Sequence, residues 1–181
     1  GIGELDMLID TICFFEEFSH YYTESIFFRT FIELNFQKDD ERIQSFKETL
    51  NTLSDENSLI LFAKVSIAMK TGNNDEAITL LSNRTTDYNK YPFKYLDYLN
   101  GLALLHKLDS DTPAYFFDYL INYHGVNYKA AACQKLAWYY LIEGDTLKYR
   151  EYIIKSLSFE DGQVDEDKQA HIEARRESLP N

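Results

Sequence analysis

The sequence contains few of the residues that tight turns and disulfide frameworks require. It has 3 Pro and 7 Gly among 181 residues, too few for the many turns of a β-sandwich or barrel, so long helices are favoured. The 2 cysteines, Cys13 and Cys133, stand singly in apolar stretches, where a thiol usually behaves as a small buried hydrophobe. Neither a disulfide framework nor a zinc site is therefore indicated. No run of about 18 apolar residues occurs, so we expect no direct membrane insertion.

Basic residues are also scarce relative to acidic ones. The chain has 18 Lys and Arg against 30 Asp and Glu, a formal net charge of -12 and a pI near 4.7. Such a surface repels phosphate backbones and anionic headgroups, so nucleic acid and a membrane surface are both unfavourable partners. Hydrophobic residues make up 45% of the chain and aromatic residues 15%, which is enough for a packed core and argues against disorder.

Apolar residues recur at spacings of three and four along almost the whole chain, as they do on one face of a helix. No apolar–polar alternation typical of strands competes with this pattern. The sequence therefore predicts an all-α protein with about ten helices. The predicted helices cover 4–20, 23–37, 40–53, a fourth capped by Ser54 or Asp55 and ending at Gly72, a fifth opened by Asn73 and Glu76, a sixth from Pro92 to 108, a seventh opened by Asp111, Thr112 and Pro113, an eighth at 128–143, a ninth carrying Tyr149 and Ile153, and a tenth at 164–178.

The turns between paired helices recur at a nearly constant interval. They lie at residues 38–39, 72–73, 108–109 and 144–145, separated by 34, 36 and 36 residues. Gly72 suits the left-handed residue that closes a helix, Gly144 is the glycine of the fourth turn, and the third turn has no glycine. A constant period of this length is typical of repeated helix hairpins.

A helix hairpin has apolar residues on both broad sides and cannot bury them alone, so successive hairpins must stack. Small residues such as Ala77 and Ala137, with Gly101 and Ala114 in the third unit, let two helices approach closely. The expected fold is a right-handed superhelical stack of antiparallel helix hairpins, an α-solenoid with a concave wall. Its expected parts are an N-terminal helix at 1–22 that ends a preceding repeat, four hairpins at 23–158, and an acidic linker with a C-terminal helix at 159–181.

Four segments together carry a family resemblance. "FAKVSIAMKTGNNDEAITLL", "PFKYLDYLNGLALLHKLD", "NYKAAACQKLAWYYLIEGDTLKY" and "VDEDKQAHIEA" resemble the tetratricopeptide-repeat proteins common in Bacteroidetes bacteria. The resemblance implies that the chain is an internal piece of a longer repeat protein located outside the cytoplasm, and "ESLPN" is interpreted as the entry to another repeat. It implies no catalytic residue and no cofactor.

No arrangement of reactive side chains in the sequence points to catalysis or metal binding. None of the four histidines, His20, His106, His124 and His171, stands at a metal-ligand spacing from another ligand. The acidic residues between Glu160 and Asp167 lack the ligand pattern of a calcium loop. They are interpreted as a solvated linker and as negative charge at a helix N-terminus. We therefore expect a protein that is not an enzyme and that holds no metal or cofactor.

One aromatic residue stands apart from the predicted core. Trp138 is two residues from Leu136 and from Tyr140, which places it about 200° around the helix from those core positions. In tetratricopeptide arrays that side of the first helix lines the concave groove, and Phe28, Phe62 and Gln134 are expected on the same wall. The structural alternative is that an adjoining repeat covers Trp138.

The leading interpretation is a non-enzymatic helical-repeat scaffold that binds a protein or peptide segment in its groove. The alternatives are a structural spacer whose groove is filled by its own chain, and a module that binds a small molecule in a pocket between helices. Repeats without capping helices have adhesive ends, so self-association through the ends is a further expectation.

Overall fold

A computed structural model describes residues 2–12, 14–18, 20–37, 39–84, 93–159 and 164–178, without the side chains of Ile2 and His20. The predictions that involve Cys13, Lys38, Pro92, the acidic residues at 160–161 and the last three residues lie outside this part of the chain.

All regular structure in the described residues is helical, and it comprises ten α-helices and no strand, which confirms the all-α prediction. The helices are α1 (Ile2–Ile12), α2 (His20–Ile32), α3 (Asp40–Asn51), α4 (Ser58–Lys70), α5 (Asn74–Ser82), α6 (Tyr95–His106), α7 (Thr112–Asn122), α8 (Lys129–Ile142), α9 (Thr146–Lys155) and α10 (Asp165–Glu177). A π-helical turn at Glu33–Gln37 continues α2, and 3-10 turns lie at Glu16–Phe18 and Ser156–Ser158.

Two predicted boundaries in the first half of the chain were wrong. The expected helix at 4–20 stops at Ile12, because the following amides bond three residues back, as Phe15 N does to the Ile12 carbonyl at 3.2 Å. This change of direction lets α1 pack against α2. The cap of α4 is Asn57, whose side chain accepts from Leu59 N at 2.9 Å, and not Ser54 or Asp55.

Three hairpins are closed by the same turn. The second residue after each first helix has a positive φ, 77° at Gly72, 55° at Leu108 and 81° at Gly144. The next amide then reaches back to a carbonyl five residues earlier, from Asn73 to Ala68, from Asp109 to Leu104 and from Asp145 to Tyr140, at 2.8 to 3.0 Å. Gly72 is the glycine for which the sequence predicted left-handed backbone, and Gly144 is the glycine of the predicted fourth turn. Leu108 adopts the same conformation with a side chain.

The side chain of the residue after each left-handed position accepts a hydrogen bond from a backbone amide two or three residues further along the chain. The side-chain oxygens of Asn73, Asp109 and Asp145 accept from the amides of Glu76, Asp111 and Lys148 respectively. The expectation that Asn73 opens α5 is confirmed, but Glu76 does not complete a capping box, because its carboxylate accepts from the Asn73 side-chain amide at 2.7 Å and the Asn73 backbone amide donates to Ala68. The repeated turn thus connects α4 to α5, α6 to α7, and α8 to α9. Asn73 and Asp145 cap α5 and α9, whereas α7 has no side-chain cap.

Contacts divide the chain into two units, Gly1–Tyr91 and Pro92–Asn181. The core of the first unit is formed by apolar residues of α2, α3 and α4, among them Ile26, Ile43 and Ile60. Beside this core lies the fully buried Arg29, which donates to Asp6 of α1 at 2.5 Å and to Glu33 at 2.7 Å. Burial lowers the pKa of Arg29, but hydrogen bonds and charge from these two carboxylates outweigh it and leave the pKa raised. The three-part division expected from the sequence stays a prediction.

In the second unit, α6 pairs with α7 and α8 with α9, α7 packs on α8, and α10 covers both α8 and α9. The predicted close approach at Gly101 is present, since a Cβ there would meet the Phe116 ring at 3.0 Å. Ala114, the other small residue proposed for this unit, is exposed. Ala137 is fully buried with Ile153 and Ala174.

Cys133 is also buried in α8, as its apolar context predicted. Burial raises the pKa of its thiol to about 12, so the thiol is inert at neutral pH.

We predict that Leu108→Gly stabilises the protein. A left-handed conformation costs a residue with a Cβ about 1–2 kcal/mol, and Leu108 is 55% exposed, so its side chain loses little burial. Glycine also raises the conformational entropy of the unfolded state, which offsets part of this gain. We expect the unfolding free energy, measured by urea denaturation, to rise by about 0.5 kcal/mol. The matched change Gly144→Ala should cost about 1 kcal/mol. A loss of stability in Leu108→Gly would contradict the assignment of strain to this turn.

Candidate protein-binding surface

The four residues predicted to line a groove lie in two separate local settings. Phe28 in α2 and Phe62 in α4 belong to the first unit, and Gln134 and Trp138, both in α8, belong to the second. The structure brings together the members of each pair. That all four share one wall stays a prediction.

Gln134 and Trp138 are held by one carboxylate of the neighbouring helix. Glu173 of α10 accepts from Gln134 Nε2 at 2.5 Å and from the indole N–H of Trp138 at 2.9 Å. Gln134 is buried, and Trp138 is half-buried. The Trp138 side chain, which the sequence places facing a groove, therefore contacts α10 of this chain, because α10 lies against this face of α8.

The ring of Trp138 also contacts a cation of its own helix. Lys135 Nζ lies 3.8 Å from the ring centroid, within the range of a cation–π interaction. Burial lowers the pKa of Lys135, against the opposing charge of Glu173 and Glu166. The ring face and the indole N–H of Trp138 are thus both engaged within the second unit.

A second carboxylate of α10 caps the N-terminus of α8. Asp167 is fully buried and accepts from Tyr128 N at 2.6 Å and from Ala131 N at 2.8 Å. These amides lie at the N-terminal end of α8, where backbone donors have no partner within the helix. Asp167 lies in the first turn of α10, as the interpretation of these residues as negative charge at a helix N-terminus predicts, but its side chain is buried against α8 and not solvated. Sequence reasoning missed it because its partners lie 36 and 39 residues away.

The ionisation of Asp167 is affected by this environment. Burial raises the pKa of the carboxyl group, although the two backbone hydrogen bonds and the charge of His171 oppose the shift. His171 is itself buried, and its Nε2 lies 3.0 Å from the Ser156 carbonyl. It is a packed core histidine at the contact between α10 and the end of α9.

In the first unit, the two predicted phenylalanines are connected by a third aromatic ring. The ring of Phe27 lies 5.4 Å from that of Phe28 and 5.4 Å from that of Phe62. Phe62 is half-buried, whereas Phe28 is 56% exposed. Phe28 is therefore accessible at the edge of a packed aromatic group.

Exposed aromatic side chains are confined to one segment of the described residues. All those with large exposure lie between positions 14 and 36: Phe14, Phe15, Phe18, Tyr21, Phe28, Phe31 and Phe36. Tyr21, Phe28 and Phe31 follow each other at helical spacings of seven and three, so they share one side of α2. Phe36 continues this side, with its ring 6.4 Å from that of Phe31. We name these last four residues the α2 aromatic surface.

Sequence reasoning identified only Phe28 of the α2 aromatic surface. The spacing of Tyr21, Phe28 and Phe31 was available as a signal. Helical spacing does not by itself distinguish an exposed side of a helix from a buried one.

The charges of the same segment have one sign. Its described and exposed charged side chains are the carboxylates Glu16, Glu17 and Glu24. Arg29 is fully buried in its ion pairs and contributes no exposed cation. The exposed aromatic segment between Phe14 and Phe36 is therefore accompanied by exposed acidic side chains.

The described residues contain no group of three or more His, Cys, Asp or Glu side chains that could hold a metal ion. Within the same part of the chain, every helix falls short of the length and apolar character needed to cross a bilayer. No family model, curated protein or solved structure matches this chain. The tetratricopeptide resemblance therefore stays a prediction.

We predict that Trp138→Ala destabilises the protein. The change removes the indole hydrogen bond to Glu173 and the contact with Lys135, so the unfolding free energy should fall by about 1–3 kcal/mol. Phe28→Ala removes a mostly exposed ring and should change it by less than about 0.5 kcal/mol. Urea denaturation of both variants measures the difference. Equal stability of the two variants would mean that α10 does not hold Trp138 in solution.

Asp167 should give stability a specific pH dependence. A carboxyl group whose pKa is raised on folding contributes stability below its unfolded pKa of about 3.9, and this contribution is lost as the pH rises through the folded pKa. Asp167→Asn does not ionise. The stability of the wild type relative to Asp167→Asn should therefore decrease from pH 4 towards pH 7 in urea denaturation. An increase over that range would show that the hydrogen bonds outweigh burial.

Proposed function

We propose that this chain is part of a non-enzymatic helical-repeat scaffold of the tetratricopeptide type, and that it binds a protein or peptide segment. The fold part of this proposal is a right-handed α-solenoid of antiparallel hairpins. It is supported by the same left-handed turn and cap at Gly72, Leu108 and Gly144, at intervals of 36 residues. It is also supported by α10, which packs on α8 and α9 as the first helix of a following hairpin would.

One observation carries the binding role. Every strongly exposed aromatic side chain of the described residues lies between Phe14 and Phe36. At about 200 Å² for a whole aromatic side chain, the exposed parts of the α2 aromatic surface amount to on the order of 400 Å². Apolar patches of that size on a soluble domain are often functional, and exposed aromatic rings are preferred anchors in protein interfaces.

The part of the predicted groove formed by Gln134 and Trp138 is not proposed as a binding site. Gln134 and Trp138 already bond to Glu173 of α10, and a partner would have to displace that helix to use them. For Gln134 and Trp138 the observations favour the alternative function, a structural spacer whose groove is filled by its own chain. We therefore propose that binding uses Phe28 and its neighbours, and that Trp138 has a structural role.

The test is affinity capture from cells that produce the protein naturally, with the chain as bait. Phe28→Ser/Phe31→Ser should lose the captured protein. The matched apolar-to-polar change Ile121→Ser, at a residue of α7 that is 73% exposed, should retain it.

Capture should also survive Glu173→Gln, which weakens the Trp138 contact and leaves α2 intact. Capture that is lost in Glu173→Gln and kept in Phe28→Ser/Phe31→Ser would contradict the proposal and favour the original groove. Equal recovery in all variants would favour the spacer.

A further inference from the structure

We propose that the occupant of the α2 aromatic surface is a cationic amphipathic segment of another protein, one that carries Lys or Arg beside apolar side chains. This inference rests on the proposed binding role and specifies its chemistry. It follows from three features of the segment between Phe14 and Phe36: its exposed rings, the sign of its exposed charges, and its length.

The charges select the sign of the partner. Glu16, Glu17 and Glu24 are exposed beside the rings, while Arg29 is buried and neutralised by Asp6 and Glu33. Residues 1–42 carry ten carboxylates against Arg29, Lys38 and Arg42, a net charge of -7 out of the chain's -12, and Arg42 lies 3.7 Å from both Asp6 and Asp39. A cationic partner gains attraction from this field. Guanidinium and ammonium groups also bind favourably to the faces of exposed Phe and Tyr rings.

The same charges disfavour the other occupants. A second copy would bring an equal negative charge to an identical surface, and like charges that meet across an interface oppose association. An anionic lipid surface is repelled for the same reason. A cationic peptide is the occupant for which the apolar and the electrostatic contributions have the same sign.

The length of the surface fits one helix or one short extended segment. From Tyr21 to Phe36 the helical rise is about 22 Å. An amphipathic helix of about 15 residues, or about seven residues of extended chain, covers that distance. Anchors at helical spacing would lie against a partner helix in the way that helix-in-groove recognition requires.

The probe is a synthetic 15-residue peptide with Leu at i, i+3, i+4 and i+7 and Lys elsewhere. One control peptide has Glu in place of Lys, and a second has Ser in place of Leu. Binding of the fluorescently labelled peptides to the chain is measured by anisotropy at low and at physiological salt. We expect the Leu/Lys peptide to bind, the Leu/Glu peptide to fail, and the Ser/Lys peptide to bind more weakly.

Two sets of variants test where the peptide binds. Phe28→Ser/Phe31→Ser should weaken the Leu/Lys peptide about thirtyfold, as the loss of interface anchors does. Glu16→Gln/Glu17→Gln/Glu24→Gln should weaken it about tenfold at low salt. The control Glu48→Gln/Glu143→Gln/Glu151→Gln removes the same charge from exposed positions elsewhere and should have a much smaller effect. Circular dichroism melts verify that each variant is folded.

The contradictory results are distinct. Equal weakening by both glutamine triples, or binding of the Leu/Glu peptide, would overturn the proposal, because attraction would then be unspecific or absent. A dimer in sedimentation velocity that disappears in Phe28→Ser/Phe31→Ser would identify a second copy as the occupant and would also overturn it. If cellular capture depends on Phe28 and Phe31 but not on the three glutamates, the scaffold function stands and this inference fails.

Discussion

The N-terminus of a helix exposes backbone N–H groups that the helix itself cannot bond, and in the second unit the buried Asp167 of α10 accepts from two amides at the start of α8, those of Tyr128 and Ala131. The contact also closes an apolar side of the α8–α9 hairpin, where Ala174 lies with Ala137 and Ile153. Helix α10 therefore both accepts hydrogen bonds from amides at the start of α8 and covers an apolar side of the α8–α9 hairpin. The arrangement of the second unit depends on this contact.

The contact between α8 and α10 makes the two predicted pairs of groove residues differ in their accessibility to a partner. Trp138 is engaged by Glu173 and Lys135, so its aromatic surface is used within the chain. In the first unit, the buried Arg29 binds Asp6 and Glu33 next to the core, and Tyr21, Phe28 and Phe31 of the same helix remain exposed. The burial of this cation together with the exposure of these rings makes α2 a candidate interface.

Local features of the fold could be predicted from the sequence because they depend on residues close together in the chain. The left-handed Gly72, the Asn73 cap of α5 and most helix bounds belong to this group. Features that join distant residues could not. Asp167 looked like part of a solvated acidic run, and Trp138 looked free of other helices, because nothing in the local pattern indicates that α10 folds onto α8. The exposed side of α2 was missed for a related reason, since helical spacing alone does not tell a core side from an interface.

The central claim is that partners bind along α2 while the α8–α10 contact stays closed. Amide hydrogen exchange of the chain, with and without a captured partner, tests it most directly. The account predicts slower exchange on binding in His20–Gln37 and unchanged exchange in Lys129–Ile142 and Asp165–Glu177. Slower exchange around Trp138 with none in α2, or faster exchange in α10 as a partner displaces it, would contradict the claim.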